Sequence, residues 1–400
     1  MIRSQKAISG PASFSRRQNM KLFEPISIGG IEIRNRIVMP AMTTRFADGD
    51  GSATEQGIHY YAARARGGVG LVIVEMSGVD RGGSHRQREL AIYDDIYVPG
   101  LKKLADTVKS HGARIAIQLA HGGAQALSRV TGLQSVAPTG MPYVVHEQVT
   151  ETHVPKELSI EEIKLLVTRF ADAADRARRS GFDMVEIHGA HGYLIYQFLS
   201  PLTNKRKDEY GGDLKGRARF GIEIVRAVKE RAPELPVIFR ISANEYADGG
   251  FTIEDSRTVC RWLDEAGVDA VHVSAGSYLS PYVYMVPPMM LSGGCFLHLG
   301  QAVKEIVSGP VITVGRLHDP FLAETAIVEG KTDMVALGRQ LIADPEWAQK
   351  IQEGRFDEVR RCLSCNYCIE AMRDGVHVEC ATNVDVGGEW LLADSTNQGE

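Results

Sequence analysis

The sequence predicts a (β/α)8 barrel. Eight short apolar runs have the length and residue types of buried strands, and charged segments with helical periodicity separate most of them. Parallel strands need covered faces and right-handed helical crossovers, so this eightfold alternation favours a closed parallel barrel. The predicted strands are residues 36–40, 69–75, 114–119, 183–187, 236–241, 269–274, 310–314 and 333–337. The clearest predicted helices are residues 159–180, 216–231 and 252–266.

Polar side chains follow the predicted strands at the points where the strands end. In barrel enzymes the C-terminal rim is the active face, and the loops after the last two strands often bind phosphate. We therefore expect these polar side chains to surround one site. They are Thr43, Glu75, Gln118, His121, His188, Arg240, Ser274, Arg316 and Arg339.

The fourth predicted strand leads into the most informative part of the chain. His188, His191 and Tyr193 follow residues 183–187 directly and alternate with glycines. A single histidine at such a place is usually explained by packing. Two histidines and a tyrosine that leave the same strand end together indicate a reaction centre instead.

The last two predicted strands are each followed by the dipeptide Gly-Arg. Gly315 and Gly338 allow a close approach of the backbone, and Arg316 and Arg339 supply fixed donors to phosphate oxygens. One such dipeptide would be an ordinary turn with a solvated charge. Two at matching positions predict a phosphate site.

Several motifs resemble the Old Yellow Enzyme family of FMN-dependent oxidoreductases. They are QLAHG at 118–122, IHGAHGYL at 187–194, QFLSP at 197–201, DEYGG at 208–212 and LGRQLIADP at 337–345. The resemblance runs from about Lys21 to the end of the barrel and implies that residues 20–355 bind FMN without a covalent bond. The flavin contacts that it implies are Ala41, Met42, Thr43, Met76, Gln118, Arg240, Gly315, Arg316, Gly338 and Arg339.

The same resemblance implies the catalytic roles. His188 and His191 match the pair that binds the substrate carbonyl or carboxylate, and Tyr193 matches the proton donor. These roles suit hydride addition from FMN N5 to an activated double bond, because negative charge builds up on the activating oxygen and the neighbouring carbon needs a proton. We expect an enzyme that reduces an enone, enal or 2-enoate.

Four of the six cysteines form a second motif beyond the barrel. Cys362, Cys365, Cys368 and Cys380 give the spacing C-x2-C-x2-C-x11-C. Three thiols at two-residue intervals with a distant fourth favour a [4Fe–4S] cluster in residues 356–400. Structural zinc and disulfides are the alternatives.

This tail resembles the iron–sulfur branch of the family, which includes 2,4-dienoyl-CoA reductase, 2-enoate reductase and trimethylamine dehydrogenase. In that branch the cluster passes electrons between FMN and a C-terminal FAD module. The 400 residues contain no G-x-G-x-x-G after a predicted strand. We therefore expect FAD and NAD(P)H only through a further domain of a longer chain or through a separate flavoprotein electron donor.

Differences from the named relatives narrow the range of candidate substrates. Dienoyl-CoA reductase has an arginine where Leu202 stands, and a catalytic histidine in the loop where residues 276–279 read Gly-Ser-Tyr-Leu. Both differences weaken a CoA-thioester assignment. Residues 39–46 contain no cysteine, so we do not expect the covalent flavin of trimethylamine dehydrogenase.

Two other functions stay open at this point. One is oxidative N-demethylation of an amine, which runs the flavin chemistry in the opposite direction. The other is a non-catalytic FMN and iron–sulfur subunit for electron transfer. Tyr193 distinguishes the electron-transfer subunit from an ene-reductase, because flavin binding alone does not require a proton donor.

Composition agrees with an ordinary globular enzyme. The chain is 44% hydrophobic and 24% charged with a net charge of −5, which gives no basic field for nucleic acid. No uncharged apolar stretch is long enough to span a bilayer. We expect a cytoplasmic homo-oligomer with a small-molecule substrate. Residues 1–19 contain basic residues and no acid; we expect a disordered extension or a misplaced start before Met20, with a transit peptide as the alternative.

Overall fold

The computed structural model describes residues 20–144 and 152–391. Eight parallel strands form a closed barrel, in which each strand pairs with its neighbours along the chain and the last pairs with the first. The predicted (β/α)8 barrel is confirmed, and each predicted strand overlaps an observed one. The extension expected at residues 1–19 lies outside the described residues.

The barrel strands are short and buried along almost their whole length, which explains their continuous apolar sequences. They are β1 (Ile37–Met39), β2 (Leu71–Gly78), β3 (Arg114–Ala120), β4 (Met184–Gly189), β5 (Val237–Ser242), β6 (Ala270–Ser274), β7 (Val311–Val314) and β8 (Met334–Ala336).

Helices follow the strands around the outside. They are α1 (Glu55–Arg66), α2 (Val98–Ser110), α3 (Ile160–Arg179), α4 (Leu214–Arg231), α5 (Ile253–Glu265), α6 (Leu297–Lys304), α7 (Pro320–Val328), α8 (Gly338–Ala343), α9 (Trp347–Gln352) and α10 (Tyr367–Arg373). Capping boxes fix two starts close to where the sequence predicts them. Ser159 and Glu162 exchange hydrogen bonds at α3, as do Thr252 and Asp255 at α5. Among the described helices, none is long and apolar enough to cross a membrane.

Shorter elements lie in the loops. Two short helices, Ser128–Thr131 and Leu194–Leu199, follow β3 and β4. The long connection from β3 to α3 also holds the strand pairs Val136–Ala137 with Lys156–Glu157, and Tyr143–Val144 with Thr152–His153.

A β-hairpin closes the N-terminal end of the barrel. Its strands, Ile26–Ile28 and Ile31–Ile33, pair antiparallel. Their isoleucines pack in one apolar cluster with residues at the first positions of barrel strands, including Leu71, Met184 and Ala270. This apolar layer fills the lower barrel among the described residues, and a pocket opens at the opposite, C-terminal end.

A layer of polar side chains lies above the apolar one. Gln118, Glu186, Arg240 and His272 each stand two residues after a member of the apolar cluster, and all four are buried. Because side chains alternate along a strand, this spacing places them on the same inner face of the barrel. Gln118 and Arg240 line a pocket at the C-terminal ends of the strands, and Glu186 and His272 lie beneath it.

The chain after α9 folds back on the barrel. The buried guanidinium of Arg64, in α1, pairs with Glu389 near the end of the described residues. Arg45, in the loop after β1, donates a hydrogen bond of 2.9 Å to the carbonyl of Met372 in α10. These contacts hold the cysteine-bearing segment beside the first loop of the C-terminal rim.

Candidate active site

A large pocket opens among the C-terminal ends of the barrel strands. All flavin-contacting and catalytic residues predicted from the sequence line it, because the ends of parallel barrel strands meet at one rim. These residues are Ala41, Met42, Thr43, Met76, Gln118, His188, His191, Tyr193, Arg240, Gly315, Arg316, Gly338 and Arg339.

The histidine pair lies at the end of β4. The ring centroids of His188 and His191 are 5.3 Å apart, and the backbone N–H of His191 donates to the Ser242 hydroxyl at 3.0 Å. Nδ1 of His188 is buried and has no hydrogen-bond partner among the described residues. Burial lowers the pKa of both imidazoles well below the ordinary value, and the charge of Arg240 acts in the same direction. Both imidazoles are therefore neutral near pH 7, and each has one N–H to donate.

Tyr193 lies against this pair. Its ring centroid is 5.0 Å from that of His188 and 5.0 Å from that of His85, and its hydroxyl is 2.9 Å from the hydroxyl of Tyr278. Burial raises the pKa of Tyr193 well above its ordinary value. The hydroxyl therefore keeps its proton at neutral pH.

Arg240 gives the pocket floor a fixed positive charge. Its side chain is 7% exposed, and Nη1 donates to the carbonyl of Ala41 at 3.2 Å. Nε has no hydrogen-bond partner in the part of the chain that the structure describes. Burial lowers the pKa of Arg240, and the charge of the neighbouring Glu186 opposes that shift, so the guanidinium stays charged. Its remaining N–H groups can donate hydrogen bonds to a ligand.

Gln118 belongs to a buried hydrogen-bond chain. Its Nε2 donates to Oε1 of Glu186 at 2.7 Å, and Nδ1 of His272 lies 2.6 Å from Oε2 of the same carboxylate. Glu186 and His272 are fully buried. Both oxygens of Glu186 thus have partners on different strands of the barrel.

The two predicted phosphate loops depend on their glycines. Gly315 has φ of +131°, and a Cβ atom there would lie 2.9 Å from the ring of Phe296. A Cβ atom on Gly338 would lie 2.9 Å from the sulfur of Met42. Larger residues would push these loops away from the pocket.

The arginines of these loops connect the barrel to the cysteine segment. Nε of Arg316 donates to the Ser364 hydroxyl at 3.3 Å, and Arg339 donates to the side-chain oxygen of Asn366. Arg339 also donates to the carbonyl of Pro287 at 2.6 Å. Both arginines therefore lie between the barrel pocket and the loop that carries the cysteines.

The cysteine motif lies directly beside the pocket. Arg339 and four thiols line one small cavity; the thiols are those of Cys362, Cys365, Cys368 and Cys380. No cysteine of the described residues forms a disulfide. Within residues 20–144 and 152–391, no group of three or more histidine, cysteine, aspartate or glutamate side chains is placed to hold a metal ion.

The backbone around Cys365 explains how the motif turns towards the cavity. Ser364 and Asn366 have φ of 54° and 64°, in the left-handed region that L-residues rarely adopt. The N–H of Ser364 points to the sulfur of Cys362 at 3.4 Å. The left-handed residues on both sides of Cys365 turn the backbone sharply at this cysteine, and asparagine is one of the residues that tolerate this conformation best.

The family of the chain follows from a direct comparison. The profile described as "NADH:flavin oxidoreductase / NADH oxidase family" matches residues 21–358. The chain belongs to this family. It is therefore a flavin-dependent oxidoreductase with FMN as its cofactor, and the resemblance inferred from its motifs is confirmed.

Longer relatives of the chain include an NADH oxidase from Thermoanaerobacter brockii, which is 45% identical over 93% of the chain and 57% of its own length. A cinnamate reductase from Clostridium sporogenes is 36% identical, with 92% of the chain and 58% of the relative covered. A solved 2-naphthoyl-CoA reductase complex has a TM-score of 0.88 and 29% identity over 92% of the chain and 58% of its own. The chain spans little more than half the length of these three proteins.

Sequence reasoning missed two residues that line the pocket, His85 and Tyr278, and two that lie beneath it, Glu186 and His272. Glu186 and His272 had a usable signal, because each is a polar residue inside an otherwise apolar strand. Tyr278 and His85 come from loops, and nothing in the sequence indicates that either would contact Tyr193.

Proposed function

We propose that this oxidoreductase reduces the activated C=C bond of an enone, enal or 2-enoate. One observation carries the proposal: two neutral histidines, of which His188 is buried and His191 partly exposed, lie together with a protonated tyrosine on one wall of the pocket. Such donors suit a reaction that builds negative charge on an oxygen and needs a proton on a neighbouring carbon. The 36% identity to a cinnamate reductase supports a 2-enoate as substrate.

The pocket residues fit FMN. Arg240 presents an unpartnered buried donor, and both Gly-Arg loops line the pocket through their glycines as well as their arginines. Bound FMN would supply a hydride from its N5 atom. The residues proposed to hold it are Ala41, Met42, Thr43, Met76, Gln118, Arg240, Gly315, Arg316, Gly338 and Arg339.

His188 and His191 are proposed to bind the activating oxygen of the substrate. A neutral imidazole donates one hydrogen bond, and two such donors stabilise the charge that develops on a carbonyl or carboxylate oxygen. Because the site is buried, these hydrogen bonds are stronger than they would be in water. The pair therefore favours the enolate-like form over the unreacted substrate.

Tyr193 is proposed to deliver the proton. Its raised pKa keeps it protonated, and an enolate-like carbon is basic enough to take a proton from such a phenol. Its ring lies against that of His188, so a substrate bound by the histidines would have its neighbouring carbon close to the hydroxyl. One wall of the pocket thus provides both the charge stabilisation and the acid.

We further propose that residues 356–400 bind one [4Fe–4S] cluster through the four cysteines, next to the FMN-binding barrel of residues 20–355. The shared cavity supports this assignment. In such a cluster each thiolate binds a different iron, whereas zinc would hold all four sulfurs at about 2.3 Å from one point. Three cysteines at two-residue intervals with a distant fourth suit the cluster better than zinc.

The cysteine segment also lies where electrons could enter the flavin pocket. Cys362, Ser364, Ile369 and Met372 line that pocket together with the barrel residues. We propose that the cluster passes electrons to FMN from NAD(P)H, through a FAD-containing domain or a flavoprotein partner.

The test of this function uses the purified holoprotein under anaerobic conditions. The reduced protein is mixed with cyclohexenone or cinnamate, and the oxidised protein is mixed with an N-methyl amine, while flavin absorbance is recorded. We expect an unsaturated compound to reoxidise the flavin. Reduction by the amine, with no reoxidation by either unsaturated compound, would assign the chain to amine oxidation instead.

Two variants separate the proposed roles. Tyr193→Phe should slow reoxidation by the unsaturated compound on the order of 10²-fold, while reduction of the flavin stays intact. His191→Ala should weaken binding of a phenol, because a phenolate resembles the charge that the histidine pair receives. Reoxidation of Tyr193→Phe at the wild-type rate would show that another group supplies the proton.

A further inference from the structure

Glu186 is a fully buried carboxylate with an unusual set of neighbours. Gln118 and His272 each contact one of its oxygens, at 2.7 Å and 2.6 Å. Burial alone would raise the pKa of Glu186, but His272, Arg240 and Gln118 together lower it below the ordinary value. The carboxylate is therefore ionised inside the barrel.

A buried charge at this position needs an explanation. The neighbouring inner-face positions of the same strands are apolar, such as Met184 in β4 and Ile238 in β5. Taking a carboxylate out of water costs several kcal/mol, and well-packed apolar groups often serve stability as well or better. The placement of Glu186 under the pocket floor, in contact with a pocket residue, therefore points to a functional role.

The contact decides which way the Gln118 amide faces. An ionised carboxylate only accepts hydrogen bonds, so the amide group of Gln118 must turn its nitrogen towards Glu186. The carbonyl oxygen of Gln118 is then the amide atom left for a ligand in the pocket. With Glu186 absent, the two amide orientations would be close in energy.

Glu186 also balances the positive charge of Arg240. The two residues lie on adjacent strands, and each shifts the pKa of the other towards its charged form. His272 occupies the next strand and uses its Nδ1 on the same carboxylate. The four side chains thus form one layer across strands β3 to β6.

We propose that Glu186 is a positioning residue that presents the Gln118 carbonyl oxygen to the N3–H group of the flavin pyrimidine ring. This inference rests on the proposed function, in which Gln118 contacts that edge of FMN. Glu186 acts only through Gln118 and touches neither cofactor nor substrate.

The experiment measures how tightly the apoprotein binds FMN and 3-deaza-FMN, in which C–H replaces N3–H. One hydrogen bond to an otherwise unsatisfied acceptor should make the wild type prefer FMN about tenfold. In Glu186→Leu the amide can turn, so the preference should fall to about threefold or less. Gln118→Leu should lose the preference equally, and the double variant should lose no more, because both act on the same hydrogen bond.

Two further variants guard against a simple folding defect. Glu186→Gln keeps the size of the side chain but has one acceptor oxygen where the carboxylate has two, so its preference should be intermediate. Glu245→Gln is the matched control. Its carboxylate is also buried and accepts from Ser200, Ser277 and the N–H of Phe251, away from Gln118, so the preference should stay at the wild-type value.

The possible outcomes separate the inference from the function on which it rests. Equal binding of both flavins by the wild type would show that Gln118 does not meet the pyrimidine N3–H, and the proposed cofactor contacts would fail. In a second outcome, the wild type prefers FMN while Glu186→Leu and Glu186→Gln bind both flavins more weakly but keep the wild-type ratio of the two dissociation constants. That result would overturn only the positioning role of Glu186. A ratio that falls in the order wild type, Glu186→Gln, Glu186→Leu supports it.

Discussion

The hydroxyl groups of Tyr193 and Tyr278 lie 2.9 Å apart, and their rings meet edge to face at a centroid distance of 5.6 Å. Tyr278 comes from the loop after β6, whereas Tyr193 follows β4. Both side chains line the pocket. If Tyr278 donates this hydrogen bond, the proton of Tyr193 is free for the substrate, and the phenolate that remains has a donor beside it.

This contact predicts a secondary role for Tyr278 in proton delivery. Tyr278→Phe should slow reoxidation of the reduced flavin by an enone about tenfold, because one hydrogen bond contributes about 1 kcal/mol or slightly more. The loss should be smaller than in Tyr193→Phe, since the acid itself remains. Stopped-flow absorbance measures both rates. Tyr282→Phe is the control, because its ring lines the same pocket but faces the guanidinium of Arg373.

A second prediction concerns the pH dependence of stability. Glu75 is buried and accepts from the N–H and the hydroxyl of Thr44 at 2.8 Å and 2.6 Å. Burial raises the pKa of Glu75 to about 7 in the folded protein, above its value in the unfolded chain. Between these two pKa values the folded protein holds a proton that the unfolded chain has released. Protonation of Glu75 therefore stabilises the folded protein. This contribution is complete below the pKa of Glu75 in the unfolded chain and is lost as pH rises through about 7.

Urea unfolding of the wild type and Glu75→Gln at pH 5 and pH 8 measures this effect. Between those values the wild type should lose about 2.5 kcal/mol of stability relative to the variant, which cannot titrate. The same stability difference at both pH values would show that the Glu75 carboxyl does not titrate in this range.

Much of the barrel could be predicted from the sequence because its strands are buried on both faces. Runs such as residues 236–241 and 310–314 are apolar almost throughout, and they coincide closely with β5 and β7. The shared location of the rim residues could be predicted from the barrel topology, because the C-terminal ends of parallel strands meet at one rim whatever path the loops take. His188, Arg240 and Arg339 share a pocket for this reason.

Contacts made by loops could not be predicted in this way. The path of the loop after β6 places Tyr278 on Tyr193, and that path depends on packing across the whole rim. The same holds for Arg339, which the sequence indicates only as a phosphate ligand. In the structure it also reaches Asn366 and Pro287, so its position depends on two distant segments.

A third prediction concerns FMN retention. Arg339→Ala should weaken FMN binding by about tenfold to a hundredfold, since a charge-assisted hydrogen bond to phosphate is worth about 1.5–3 kcal/mol. Fluorescence titration of the apoprotein with FMN gives the two dissociation constants. Asn366→Ala is the control, because it removes a protein partner of Arg339 and keeps the charge. An equal loss in both variants would mean that Arg339 mainly holds the cysteine loop in place.

The last prediction concerns the cysteines. Anaerobically reconstituted protein should contain about four irons and four sulfides per chain, as a [4Fe–4S] cluster requires. Cys365→Ser should lose that iron and slow reduction of the flavin by an external flavoprotein, while a small donor that reduces FMN directly should act at nearly the wild-type rate. Cys295→Ser is the matched control, because its thiol lies by the Gly315 carbonyl, outside the cavity of the four cysteines. Stoichiometric zinc without sulfide in the wild type would establish a structural metal site instead.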